Sequence, residues 1–251
     1  MTRRLSISGA ITVMFFLPLA GVCLLTIPAQ AAQTYTPHDV IQIDGDSGFV
    51  AENGITGGQG TEEDPYIIEG WAINASMAAG AAGGIQISHT EAHFKIRNVR
   101  VEFGGALYTG IWLSNVRNGY IEDSVLADNY EGITLNSTAS LTITNNTFVN
   151  NSFSGMYAVA SESLSIELNE ISGSRYGVYS HICDQVQIVG NAISDNEYGI
   201  YLNGTSNSSI SGNDIVRNQY GIYLTECSDI DLGDNSLADN NVPVYDSSSS
   251  S

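Results

Sequence analysis

Apolar and polar positions along this chain recur with a fixed period. Gly110, Gly132, Gly155, Gly177, Gly199 and Gly221 stand 22, 23, 22, 22 and 22 residues apart, and Gly84 opens a longer copy of 26 residues. One place after each glycine comes an apolar residue: Ile111, Ile133, Met156, Val178, Ile200 or Ile222. Two places further come Leu113, Leu135, Ala158, Ser180, Leu202 and Leu224, and the residue between points the other way, as alternation on a strand requires. Apolar residues return eleven places on (Ile121, Ile143, Ile166, Ile188, Ile210, Leu232) and sixteen places on (Leu126, Phe148, Ile171, Ile193, Ile215, Leu237). A period this short cannot hold paired helices, and self-similarity at fixed spacing signals a solenoid. Three short strands per repeat, each sending one or two side chains inward, predict a three-sided parallel β-helix of about eight coils, some 35–40 Å long.

The turns carry a second pattern. Fourteen places after the glycine stand Ser124, Asn146, Asn169, Asn191, Asn213 and Asn235, and nineteen places after it Asn129, Asn151, Ser174, Asn196, Asn218 and Asn240. Asparagine tolerates the left-handed backbone of a sharp corner, and stacked amides can bond from coil to coil. These residues are expected to form ladders, with the left-handed corners on them. Cys183 and Cys227 occupy one place in coils that Thr205 separates, so they are expected about 9.6 Å apart, too far for a disulfide.

The repeat G-I-x-L…I-x-x-N-x-I-x-x-N resembles that of right-handed parallel β-helix proteins of the pectin-lyase-like superfamily, and within it the NosD-like group. The run GTEEDPYIIEGWAI at 60–73 resembles the entry segment of archaeal surface proteins of this kind. The resemblance implies the right hand and leaves activity open, because that superfamily holds lyases, hydrolases, epimerases, adhesins and copper-site assembly proteins. For the NosD-like group it implies copper as a cofactor.

Residues outside the repeat set the boundaries. Arg3 and Arg4 precede an apolar run at 11–27, and Ala29-Gln30-Ala31 has A-x-A spacing, so 1–31 reads as a secretory signal. LAGVC at 19–23 resembles a lipoprotein box, with Val22 where a small residue belongs. Residues 32–65 are expected to form an N-terminal cap with a strand near 40–43, residues 66–245 the coils, and 246–251 a serine-rich tail or linker. The expected location is secreted, extracellular or cell-envelope surface, with no membrane span after cleavage.

The chain has 8 Lys+Arg against 27 Asp+Glu, a net charge of −19. Cleavage after Ala31 removes two arginines and no acid, giving −21. Such a charge argues against nucleic acid as a partner, which needs a basic footprint.

Several side chains are candidates for chemistry. Trp112, Tyr157, Tyr179, Tyr201 and Tyr223 share one outward column, with Thr134 and Tyr245 in the same register. Aromatic faces suit sugar rings and phenol hydroxyls suit sugar hydroxyls, which points to a polysaccharide or cell-surface glycan as partner; a self-stacking ladder is the competing reading. His89, His93, Lys95, Arg97, Arg100 and Arg117 form the basic cluster where a lyase or hydrolase would keep its base. The competing reading is lateral ion pairs, with Arg97 beside Glu122, Arg175 beside Glu197, and Arg217 between Asp195 and Asp239. No cofactor is required by the sequence. Ca²⁺ could find oxygen ligands at Asp44, Asp46 and Glu62-Glu63-Asp64. Copper would want clustered His, Met or Cys, and only His89 and His93 are close in sequence. Sequons at Asn74, Asn136, Asn145, Asn150, Asn203 and Asn207 are glycan acceptors in a suitable host. The expected function is a non-enzymatic carbohydrate-binding or structural module, with a polysaccharide lyase or hydrolase, or a copper-site assembly protein, as alternatives.

Overall fold

The computed structural model describes residues 34–248. They form a right-handed parallel β-helix, with three sheets running along its length. One coil shows the plan. Tyr198–Asn203 lies in the first sheet, Ser206–Ser211 in the second and Asp214–Val216 in the third. The long strand Thr109–Glu122 turns the corner and pairs in both the first and second sheets. The third sheet is eight strands deep.

Pairing follows the repeat without slippage. Ile200 faces Val178 and Ile222, and Tyr201 faces Tyr179 and Tyr223. The longer early copy keeps register too, with Ile85 against Ile111. Stacking already begins within the predicted entry segment. Thr36–His38 pairs in the third sheet, and Ile41–Asp44 places Ile41 against Ile85 in the first. Between them and the next strands, Ile55–Gly57 pairs antiparallel with Tyr66–Glu69.

The interior is filled by the columns that the period predicts: Ile111 to Ile222 and Leu113 to Leu224 in the first sheet, and Ile121 to Ile210 in the second. Each fully buried isoleucine contributes about 2 kcal/mol by removal from water. The last coil departs from this, with Leu232 exposed and Leu237 half-buried. Cys183 is buried, Cys227 half-buried, and both are free thiols.

The predicted asparagine ladders form, and one expectation about them is corrected. Asn146, Asn169, Asn191 and Asn213 are buried, and each backbone N–H and Nδ2 donates to Oδ1 of the next rung at 2.8–3.1 Å. They do not hold the left-handed corners. Those fall one place earlier, on Asp123, Asn145 and Leu168, and likewise on Asp128, Asn150 and Asp195 before the second ladder. The corner residue turns outward while the asparagine after it turns in to bond. A third corner, between the first and second sheets, puts Asn115, Ser137, Ala160, Ile182 and Glu226 at φ near +50°. An alanine or isoleucine there carries a local cost of about 1–2 kcal/mol, which the stacking above and below overrides.

Candidate functional site

The tyrosines occupy two columns, where the period alone suggested one. In Tyr198-Gly199-Ile200-Tyr201 both Gly199 and Ile200 lie on the inside. A Cβ built on Gly199 would approach Ile215 Cγ2 at 2.8 Å and Asn218 Nδ2 at 3.1 Å, inside the tube. The strand kinks at the glycine, so the residue before it and the residue two after it both face out. This adds Tyr176, Tyr198 and Tyr220, with Tyr130 and Phe153 one place earlier, to Tyr157, Tyr179, Tyr201, Tyr223 and Tyr245. The signal was available: tyrosine precedes the glycine in three consecutive repeats.

The rings pack tightly. Tyr176–Tyr198 and Tyr198–Tyr220 stack at 5.0 Å between centroids, and Tyr201–Tyr223 at 4.9 Å. Between columns the rings meet edge to face, Tyr198 to Tyr201 at 5.3 Å and 85°. Each such pair adds roughly 0.5–1.5 kcal/mol beyond burial. Tyr176, Tyr198 and Tyr220 turn their faces to neighbours one coil away, as do Tyr201, Tyr223 and Tyr245, while Tyr179 meets Tyr201 edge to face at 84°, so the strip offers solvent mainly ring edges and hydroxyls along the stacked runs. Burial is the main cause that pushes the Tyr201 phenol up to about 12, with its four tyrosine neighbours adding to it. Trp112 shares the column but is separated from the stack by Thr134.

At the head of the strip sits Glu131, only 7% exposed. Thr109 Oγ1 donates to its Oε2 at 3.3 Å, and Thr134 Oγ1 donates to the same oxygen. Burial pushes this carboxyl above the ordinary glutamate range, and the threonine hydroxyls only partly counter it. The folded form therefore binds its proton more readily than the unfolded chain. That contribution to stability is full below the unfolded value, about 4.3, and is lost as pH rises through the raised folded value. Glu131→Gln is expected to raise the urea midpoint above wild type at pH 7 and to match it near pH 4. A midpoint at pH 7 no higher than wild type would contradict the burial.

The basic residues are dispersed over the helix, and its lysine and arginines are ion-paired. Lys95 and Arg97 lie in the second sheet, Arg100 in the third, and Arg117 at the corner between the first and second. Lys95 pairs with Glu122 at 3.2 Å and lies over the Tyr120 ring. Arg97 stacks beside both Glu69 and Glu122, but its ion pair goes to Glu69 at 2.6 Å, the Glu122 carboxylate being taken by Lys95. Arg100 pairs with Glu102 at 2.6 Å, and Arg117 reaches Glu162 at 3.7 Å and Glu91 at 3.9 Å. The Arg117–Glu162 pair lines a shallow groove of about 410 Å³ with Thr138, Ser161 and Asp184. Arg175 pairs with Glu197 at 3.3 Å as its register predicts. Arg217 binds Asp195 through Nε and Nη2 at 2.9 and 2.7 Å, with Asp239 acting on it only through its charge. His89 Nδ1 lies 2.6 Å from Asp44, and the His93 backbone N–H donates to Gly60.

Metal donors do not converge. Asp44 accepts from Ser88, and Asp46 from Thr90, while Glu62, Glu63 and Asp64 lie on an exposed turn. His181 and Cys183 flank Ile182, but the thiol is buried and burial pushes its pKa up, the wrong direction for a thiolate ligand. Met156 lies in the core and Met77 is exposed. Among the described residues no three His, Cys, Asp or Glu side chains gather as metal ligands would. This set does not fit copper. Of the sequons, Asn74, Asn145, Asn150 and Asn207 are exposed, and Asn136 and Asn203 are half-buried. No helix among the described residues is long and apolar enough to cross a membrane.

A family model described as NosD, periplasmic copper-binding protein, matches residues 42–251. No curated protein matches the chain. Among solved structures, the chain is similar to a periplasmic alginate epimerase, AlgG in a double-mutant form, at 18% identity and a TM-score of 0.55 over 69% of this chain and 54% of that one. It is also similar to the A-module of the mannuronan C-5 epimerase AlgE6 from Azotobacter vinelandii, at 16% identity and a TM-score of 0.46 over 65% of this chain and 57% of that one. The chain thus spans little more than half the length of either, and the likeness is one of fold.

Proposed function

The chain belongs to the NosD family, and from that premise we propose that it is an exported β-helix that binds carbohydrate on its tyrosine face without transforming it. The double tyrosine column carries this reading. Ring contacts on both sides, stacked or edge to face, hold the rings before any ligand arrives, so little side-chain freedom is lost on binding. Edges and hydroxyls at one coil spacing suit a polymer whose hydroxyls also repeat. The ion-paired basic residues and the dispersed carboxylates support binding over catalysis, because a glycosidase or lyase needs its groups convergent on one bond. The family description supports an exported location. Copper receives no support from the donor set.

Affinity electrophoresis of the exported chain through gels containing soluble polysaccharides tests this. Tyr201→Ala with Tyr223→Ala is expected to weaken retention by about tenfold or more. Tyr201→Phe with Tyr223→Phe keeps the stack and removes two hydroxyls, and should lose most of the same retention. Unchanged retention by both double variants would move the ligand off this face.

A further inference from the structure

The outward face of the first sheet carries no fixed positive charge. Three columns run along it, entering at Thr109, Trp112 and Ser114 and continuing in register through the coil of Tyr220–Thr225; the first is buried at Thr109, Glu131 and Ser154, beside which Tyr130 and Phe153 face out. Over these coils they contain tyrosine, tryptophan, threonine, serine, asparagine and valine, one histidine (His181), one carboxylate (Glu131), and neither lysine nor arginine.

The guanidinium at the edge of this strip is Arg175, which lies over the Tyr176 ring at 5.1 Å and pairs with Glu197. The other five lysine and arginine side chains of the described residues, Lys95, Arg97, Arg100, Arg117 and Arg217, each lie within 4 Å of a carboxylate. A uronate carboxylate laid along the strip would therefore find no unpaired cation. The field of a chain of net charge −19 would oppose it throughout. Hydroxyl and amide groups, by contrast, can both donate to and accept from neutral sugar hydroxyls.

We propose that the tyrosine face takes uncharged glycans and rejects polyuronates. This rests on the carbohydrate-binding reading above and names the ligand class for the same face.

Polygalacturonate and its carboxyl-reduced form share a backbone and differ in charge. The exported chain should be run through gels containing each, and through neutral galactomannan and β-glucan, with and without calcium. At least one neutral polymer should retain it, and the reduced polymer should bind at least about tenfold more tightly than the polyuronate. Polyuronate retention equal to or stronger than that of the reduced form, in either calcium condition, would overturn this inference and leave carbohydrate binding standing. Failure of every polymer to retain the chain would remove the carbohydrate reading and this inference with it.

Discussion

Replacing Asn191 by leucine is expected to destabilise the protein by about 3–5 kcal/mol, read as the shift of its urea unfolding midpoint. Asn191 is 1% exposed and its side chain makes five hydrogen bonds. Nδ2 donates to Ile166 O at 2.9 Å, Val189 O at 3.2 Å and Asn213 Oδ1 at 2.9 Å. Oδ1 accepts from the backbone N–H and Nδ2 of Asn169 at 2.9 and 3.0 Å. Leucine matches the volume but supplies none of these bonds. It leaves the buried Asn169 backbone N–H without a partner and takes one bond each from Asn169 Nδ2, Ile166 O and Val189 O, the last still accepting from the Leu168 N–H; an orphaned buried donor alone costs about 1–3 kcal/mol. The same change at Asn235, the half-exposed last rung described for this ladder, is expected to cost only about 1 kcal/mol, because water can replace the lost bonds. Equal losses at the two sites would show that the ladder adds nothing beyond local capping.

Gly199→Ala should lower stability by about 3 kcal/mol. Its added methyl would lie 2.6 Å from the carbonyl oxygen of Gly221 in the next coil and 2.8 Å from Ile215. The oxygen belongs to the backbone of a paired strand, so it cannot move aside without opening the ladder. Gly204 makes an instructive comparison. It has φ +61° but space around it, the nearest side chain being Ile182 at 3.5 Å. Alanine there is expected to cost only about 1 kcal/mol of backbone strain. Thermal melts of the two variants separate these causes, and a Gly199→Ala melting temperature at or above that of Gly204→Ala would contradict the close approach.

The architecture was legible because each inward position is reused on every coil, so one local pattern is written six times over. The same reuse hid other features. Alternation along a strand places Tyr201 outside and is silent on Tyr198, because it cannot anticipate that Gly199 and Ile200 both turn inward at a kink. The left-handed corners escaped because stacking imposes them on whatever residue is present, including Ile182 and Leu168, which propensity would never select. Arg97 stacks between two acids, and register alone cannot choose between them; the choice follows from Lys95, two places earlier on the same strand, engaging Glu122. Glu131 carried no motif. Its environment comes from Thr109 in the preceding coil and Thr134 across the kink.

The asparagine ladders also have an electrical direction. The oxygen looks back to the preceding coil and the backbone N–H forward to the next from Asn146 through Asn213 in one ladder, and at Asn129, Asn196 and Asn218 in the other. Aligned amide dipoles add, as they do along an α-helix. Two such columns make the β-helix polar along its axis, with its donor-rich, partially positive end toward the C-terminal coil. That coil carries Asp229, Asp231, Asp234 and Asp239. Those four acids lie on the side that such an axial field favours for negative charge, whereas the more numerous acids at 39–69 lie on the other, so the field lowers the electrostatic cost of charge at one end of the helix and raises it at the other.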